Sequence, residues 1–534
     1  MEAQMRKKKL MGFAEGVEPQ SASPKKGTEN KKSLLSIPRV LPRVGVIILA
    51  IVAVIVFIAI YFRASAHWTD ESYFWLVFGC AVSIVGSTVI LLAYLYFEDR
   101  AILTKTRQLI AVATLIAVAT VASTLMSFIN LAFNASFLAI ILCGLLISRR
   151  SGYMMTMLMA GMCLLINLHI TGVGAMDMPA AIGIATLIGG IVATLALNIS
   201  SGRLQPIVSS LVGGIAGALT VVLIKAFCKA TFFPDILLSA LWTVAGCFIC
   251  GVLATGLMPV FERLFDFATE TRLNELMNTN NPLLKRLMLE APGTYHHSLI
   301  VAVMAEAAAE LIGANALLCK TAAYYHDVGK LASPKYFKEN QGEYNIHDDL
   351  SPEESARRII AHPLDSAALL EKNKFPSEIV RMARNHHGDS VVAYFYNKAR
   401  TNAVNPDAVD INTYRYKSSK PHTKEDAILM LADCCEAAVR AIKHPTNELI
   451  EERVNAIVNS LWRTKDGQLT ESPLTAQDVS RIEEIFIKNL LAQYHERIEY
   501  PSGDQLKISS LQRPQQNYSS LAQINANDRR NNLR

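Results

Sequence analysis

The apolar residues of this chain are gathered into long uncharged runs before Phe261, and nearly all the histidine and acidic clusters follow it. From Val44 an unbroken apolar stretch reaches Phe62 and stops at Arg63. Runs of similar length follow at roughly 73–97, 108–126, 129–148, 152–170, 179–199, 206–228 and 236–260. Each is close to the ~20 residues that carry a helix across bilayer hydrocarbon. The pattern therefore predicts about eight spans over residues 44–260, with the least separation between the third and fourth, around Phe128 and Asn130.

After Phe261 the period changes. Residues 261–290 read as an amphipathic connector in which Leu273, Leu276, Leu283, Leu284 and Leu287 recur near helical spacing, broken at Asn280-Asn281-Pro282. Pro292-Gly293 ends it, and Thr294 is the expected cap of the next helix. From there to Pro501 the apolar spacing is almost wholly helical, interrupted by predicted loops at 333–351 and 397–423, which in a compact domain frame a site. The fold class is all-α: a multi-span transmembrane helical domain followed by a second all-helical domain. Residues 1–43 and 503–534 are polar and read as disordered tails.

Composition supports this division. Hydrophobic residues make up 51% and charged ones 18%, and a mean hydropathy of +0.26 is high for a chain so charged, which requires the two kinds to be segregated. Much of the +6 net charge lies in the first 43 residues, which suits a membrane surface, and no basic-aromatic pattern points to a nucleic-acid polymer. Short loops carrying Arg100, Lys105 and Arg107, then Arg149-Arg150, then Arg203, alternate with loops almost free of Lys and Arg. By the positive-inside rule both termini and the second domain are expected in the cytoplasm, with Lys225 and Lys229 as exceptions snorkelling from a helix end. Asn167 and His169 are read as tolerated polar groups, and Gly189-Gly190, Gly213-Gly214 and Gly217 as points of close helix packing. The nine cysteines make no disulfide framework; Cys247 and Cys250 lie in a span, and Cys434-Cys435 pack a helix.

The chemistry gathers at Tyr324-Tyr325-His326-Asp327-Val328-Gly329-Lys330. With His297 upstream and His362, His386-His387 and Asp433 downstream, the order His, His-Asp, His, His-His, Asp resembles the ligand string of a binuclear HD phosphohydrolase. Seven widely separated side chains converge only if the helices bundle. A hydrolytic phosphate site uses paired divalent ions with a bridging carboxylate, and Asp327 is the natural bridge. Histidine-rich ligation favours iron or manganese over magnesium. Lys330, about one turn beyond Asp327, is placed to offset phosphate charge. His347 is read as a surface loop residue, and His296 as ambiguous.

The segments Ala-Pro-Gly-Thr-Tyr-His-His-Ser (291–298), Ala-Tyr-Tyr-His-Asp-Val-Gly-Lys (323–330), Glu-Asn-Gln (339–341), Asn-His-His-Gly (385–388) and Leu-Ala-Asp-Cys-Cys-Glu-Ala-Ala-Val-Arg (431–440) resemble the membrane-bound HD phosphodiesterases of the PgpH type, bacterial cyclic di-AMP hydrolases. Tyr-Phe-Tyr (394–396), Lys-Pro-His-Thr-Lys-Glu (420–425), Asp-Gly-Gln-Leu (466–469) and Arg-Ile-Glu-Tyr-Pro (497–501) carry the same likeness. The resemblance implies His297, His326, Asp327 and Asp433 at one ion, and Asp327, His362, His386 and His387 at the other. It further implies hydrolysis of cyclic di-AMP to pApA by an enzyme of the bacterial cytoplasmic membrane, in contact with lipid, and makes a homodimer an expectation. Two departures stand out. About ten residues, Arg63 to Tyr73, occupy the place of the family's large extracellular domain, and its aromatic-Arg-Tyr-Pro-Gly-Pro loop reads Tyr-Arg-Tyr-Lys-Ser-Ser (414–419).

The domain reading is a basic tail to 43, a transmembrane domain over 44–260, a connector over 261–290, an HD domain over 291–502 and a tail after it. Cyclic di-GMP or a guanosine alarmone is the alternative substrate. A non-catalytic nucleotide-binding membrane receptor is the alternative of another class.

Overall fold

The computed structural model describes residues 105–171, 177–198, 202–228, 233–464 and 467–494, with isolated residues between 78 and 97. The predicted first span, most of the second, and both tails lie outside the described residues. Among the described residues the chain is all-α, and one isolated antiparallel bridge, Val391 to Arg415, is its only extended pairing. The chain divides into two compact units. One takes residues up to Asn281 together with Leu370–Glu378, and the other takes Pro282–Leu369 and everything from Ile379. Of the predicted connector, residues 261–281 fall in the first unit and 282–290 in the second.

The first unit contains α1 (Thr106–Ser127), α2 (Ser136–Leu146), α3 (Arg149–Thr171), α4 (Asp177–Ala196), α5 (Gln205–Phe227), α6 (Phe233–Leu264) and the short α7 (Glu270–Leu276). Five of these, α1 and α3 to α6, are long and apolar enough to cross a membrane. Their outward residues, such as Leu125, Ile184, Leu195, Leu219 and Leu241, are exposed and apolar. Amphipathicity cannot choose the packed face of such helices, so small residues choose it. A Cβ on Gly189 would lie 2.7 Å from the Gly213 carbonyl oxygen, and one on Gly213 2.5 Å from that of Gly189, so α4 and α5 meet backbone to backbone.

Two expectations are corrected here. The run at 129–148 does not form a span-length helix: α2 has 11 residues, about 16 Å of rise, and lies wholly among its neighbours. Polar residues hold the turn before it, with the Ala135 amide donating to Ser123 Oγ at 3.0 Å and the Ser136 amide to Asn134 Oδ1 at 3.2 Å. Lys225 does not snorkel. Its side chain is buried and Nζ donates to Ser239 Oγ on α6 at 2.8 Å. Asn167 is fully buried; its side-chain amide donates to the Cys163 carbonyl one turn back at 2.8 Å, while its Oδ1 has no hydrogen-bond partner among the described residues. The side chain of His169 lies outside the described residues.

The second unit runs from α8 (Pro282–Glu290) through α9 (Pro292–Leu311), α10 (Ala316–Tyr325), α11 (Pro352–Lys372), α12 (Ser377–Asn385), α13 (Ala393–Asn402), α14 (Lys424–Arg440) and α15 (Asn447–Val458) to α16 (Ala476–Gln493). The ends of α11 and α12 nearest each other, within Leu370–Glu378, are grouped with the first unit. Helix α9 is the axis of the second unit. Its buried Ala302, Ala305, Ala308 and Ala309 let α10, α14 and α16 approach closely, and Ile428, Leu429, Phe486 and Leu490 fill the core. Part of the predicted loop at 397–423 is helical, since α13 extends to Asn402. The predicted loop at 333–351 folds as short single turns that carry Glu339 and Asn340 onto the start of α9.

Candidate metal centre

Six of the seven predicted ligands, all but His387, are buried, and all seven meet in the core of the second unit. Three of the histidines are held in one way. His326 follows the last residue of α10, His386 follows the last residue of α12, and His362 precedes Pro363 inside α11. Each Nδ1–H donates at 2.7 Å to the carbonyl three residues back, that of Ala323, Ala383 or Ile359. The final carbonyls of a helix lack intrahelical donors, and proline has no N–H to offer the carbonyl four residues before it. The imidazoles take up acceptors that the helices leave over, and their Nε2 atoms are thereby turned inward.

Asp327 lies at the centre. Its Oδ1 faces His362 Nε2 at 3.2 Å and His386 Nε2 at 3.6 Å. Its Oδ2 faces His326 Nε2 at 3.3 Å and His297 Nε2 at 3.7 Å. Asp433 Oδ1 approaches His297 Nε2 at 3.0 Å and His326 Nε2 at 3.6 Å, and its Oδ2 lies 3.6 Å from His387 Nδ1. Among the described residues three groups have ligand atoms close enough for one ion: His297, His326 and Asp433; His362, His386 and His387; and His326, Asp327 and His386. His326 Nε2 and Asp327 Oδ1, both buried, have no hydrogen-bond partner. Orphaned polar atoms of this kind are costly, and a cation between them removes the cost. The donor set, buried imidazole nitrogens and carboxylate oxygens within reach of one another, fits divalent metal ions.

Glycine makes the His-Asp-x-Gly-Lys turn possible. A Cβ on Gly329 would collide with the His362 carbonyl and the Ser366 amide, and the Gly329 amide donates to Ser366 Oγ at 2.8 Å. Only a bare Cα lets Asp327 come this near α11. Lys330 Nζ reaches Asp327 Oδ2 at 2.7 Å and Glu339 Oε1 at 2.8 Å, and lies over the Phe337 ring at 4.8 Å from its centroid. Tyr416 leans on His387 with ring centroids 4.5 Å apart. Beside His362 a cavity of about 310 Å³ is lined by Ser333, Tyr336, Phe337, Arg357, Arg358 and Asp365.

The electrostatics divide the site. Burial disfavours the His326 imidazolium, but Asp327 and then Asp433 overcome it and raise the group to about 10. His297 is raised against the same burial by Asp433 and Glu436. For the two carboxylates burial acts upward, yet Lys330 and His326 hold Asp327, and His297 and His326 hold Asp433, well below the usual range. On the other side burial and neighbouring imidazoles depress His386 well below its ordinary value, and burial depresses His387 to about 3. Neutral imidazole is the form that ligates a metal.

Sequence reasoning missed several supports. Thr294 does not cap α9, which begins at Pro292. The amides of Gly293 and Thr294 instead donate to Asn340 Oδ1, at 3.0 and 3.2 Å. His347 is not a surface residue: it is buried, and Nε2–H donates to the Tyr336 carbonyl at 2.7 Å. Glu436 is fully buried and hydrogen-bonds His297 Nδ1. Its one sequence signal was a position three residues after Asp433.

Residues 294–438 match the HD domain family, and residues 74–269 match the family described as 7TM receptor with intracellular HD hydrolase. The second match takes in seven of the eight apolar runs. With both segments in one chain, this protein belongs to the membrane-bound HD family of the PgpH type. It is 40% identical over 327 residues to the cyclic-di-AMP phosphodiesterase PgpH of Listeria monocytogenes, which covers 61% of this chain and 45% of that protein. It is 44% identical over 257 residues to PgpH of Bacillus subtilis, 48% of this chain and 35% of that one. The solved HD domain of the Listeria phosphodiesterase in complex with cyclic-di-AMP is 44% identical and covered in full by 41% of this chain, with a TM-score of 0.39. The chain thus spans less than half the length of the curated relatives it matches.

Proposed function

We propose that this protein hydrolyses cyclic di-AMP to pApA at the cytoplasmic face of a bacterial membrane, with two divalent ions held by His297, His326, Asp327, His362, His386, His387 and Asp433. The carrying observation is that the two oxygens of Asp327 face two separate histidine groups. The shared activity of the 40–44% identical relatives supports the substrate. Basic short loops alternating with uncharged ones support the orientation, and exposed apolar faces on the spans support contact with lipid. A homodimer rests on the family resemblance alone.

Divalent ions held by these residues would supply Lewis acidity and charge compensation at phosphorus, and manganese or iron would suit this donor set best. The chain's own residues orient and enclose. Asp327 is held ionised by Lys330 and presents one oxygen to each half of the site. Lys330, held by Glu339 and Phe337, sets a fixed positive charge where phosphate oxygens gain negative charge. Tyr416 and Phe337 wall the histidines and exclude water from them.

The test is turnover by the purified full chain in detergent with Mn²⁺ or Fe²⁺, offering cyclic di-AMP, cyclic di-GMP and pppGpp in parallel. Selective conversion of cyclic di-AMP to pApA is expected. Preference for either guanine nucleotide would refute the substrate, and binding without cleavage would refute the enzyme.

A further inference from the structure

The histidines that face Asp327 are not braced alike. His326, His362 and His386 donate Nδ1–H to neutral backbone carbonyls, whereas His297 Nδ1 meets the carboxylate of Glu436. Glu436 lies one turn after Asp433 on α14, so one helix face delivers both a ligand and the brace of the neighbouring ligand. Its environment is unusual for an acid. It is fully buried, and among the described residues Oε1 has no hydrogen-bond partner and the one cation near it besides His297 is Arg440, 3.6 Å from Oε2 and one turn on. A buried carboxylate with so little compensation is costly. The cost is offset when the imidazole it holds carries or coordinates positive charge.

A carboxylate behind a ligating imidazole fixes its tautomer and makes it a stronger donor than a carbonyl does. The two halves of the site differ in the same sense. His297 and His326 each lie within 4 Å of two carboxylates, Asp327 and Asp433, whereas among the described residues His362 and His386 each lie within 4 Å of one, Asp327, and Asp433 reaches that half of the site through His387 at 3.6 Å. Resting on the two-ion reading above, we infer that Glu436 is a positioning residue for His297 and makes the two ion sites unequal. The site of His297, His326, Asp327 and Asp433 holds its ion more tightly than the site of Asp327, His362, His386 and His387.

The test is calorimetric titration of the chelator-stripped full chain in detergent with Mn²⁺. Two ions per chain are expected, bound in two separable steps. Glu436→Gln keeps an acceptor for Nδ1–H but removes the charge, and is expected to weaken the tighter step about 10–100-fold while leaving the other within about twofold. Glu436→Asp keeps the charge and is expected to lose less. His362→Ala is expected to remove the weaker step and spare the tighter. Two equal steps in the wild type, equal weakening of both steps in Glu436→Gln, or equal loss in Asp and Gln would overturn the inference. Absence of any Mn²⁺ binding by the wild type would instead overturn the two-ion reading on which it rests.

Discussion

Lys330 is buried between Asp327 and Glu339, and each carboxylate depends on it. Burial raises the Glu339 carboxyl, but Lys330 reverses this and lowers it to about 2. A folded value below the unfolded ~4.3 stabilises the fold above pH ~4.3, and that stabilisation is lost as pH falls through ~2. Glu339→Gln is therefore expected to lower stability at pH 7 by about 1–3 kcal/mol and to flatten the acid limb between pH ~4.3 and 2. Thermal unfolding against pH reads both, and an unchanged acid limb would refute the coupling. That the seven proposed ligands would gather in one place was legible in the sequence, because histidine and aspartate recur there in an order that has few other uses. Their braces were not. Glu436 reads in sequence like any acid on a helix, and its placement behind His297 is what distinguishes it. His347 was misjudged because a loop histidine is usually exposed, whereas here the loop folds back over it.

Helix ends and interruptions build the site as much as helix faces do. Proline inside a helix removes a hydrogen bond and costs about 3 kcal/mol relative to alanine, yet Pro363 leaves the Ile359 carbonyl to His362. Pro363→Ala returns an N–H that competes for that carbonyl. The variant is expected to unfold at an unchanged or higher temperature while binding Mn²⁺ several-fold more weakly. Lower stability with unaltered Mn²⁺ binding would contradict this role. In the membrane unit, Gly213→Val places two methyl groups where α4 and α5 touch through backbone, and overpacking of this kind costs about 1–3 kcal/mol. A lower melting temperature in detergent is expected, and no change would show that the helices separate freely there. Five helices long and apolar enough to span a membrane were legible from length and apolarity. The short helix α2 was not, because a buried helix and a spanning helix share one composition and differ only in how much of the run is helical.

At the scale of the whole molecule, an apolar helical unit and an HD unit are joined in one chain, and composition alone showed the division, since charge and histidine change abruptly near Phe261. Where the units part was less legible, because α6 runs on to Leu264 and the amphipathic segment after it is shared between them. The seven proposed ligands all belong to the second unit, and the proposed hydrolysis depends on Asp327, whose two oxygens face different histidines. The most direct measurement is conversion of cyclic di-AMP to pApA by the chelator-stripped full chain on return of Mn²⁺, beside Asp327→Ala. The wild type is expected to regain activity in proportion to bound Mn²⁺ up to two ions per chain, and Asp327→Ala to fall by at least about 10²–10³-fold. Hydrolysis by the stripped chain, or by Asp327→Ala at a comparable rate, would contradict the account.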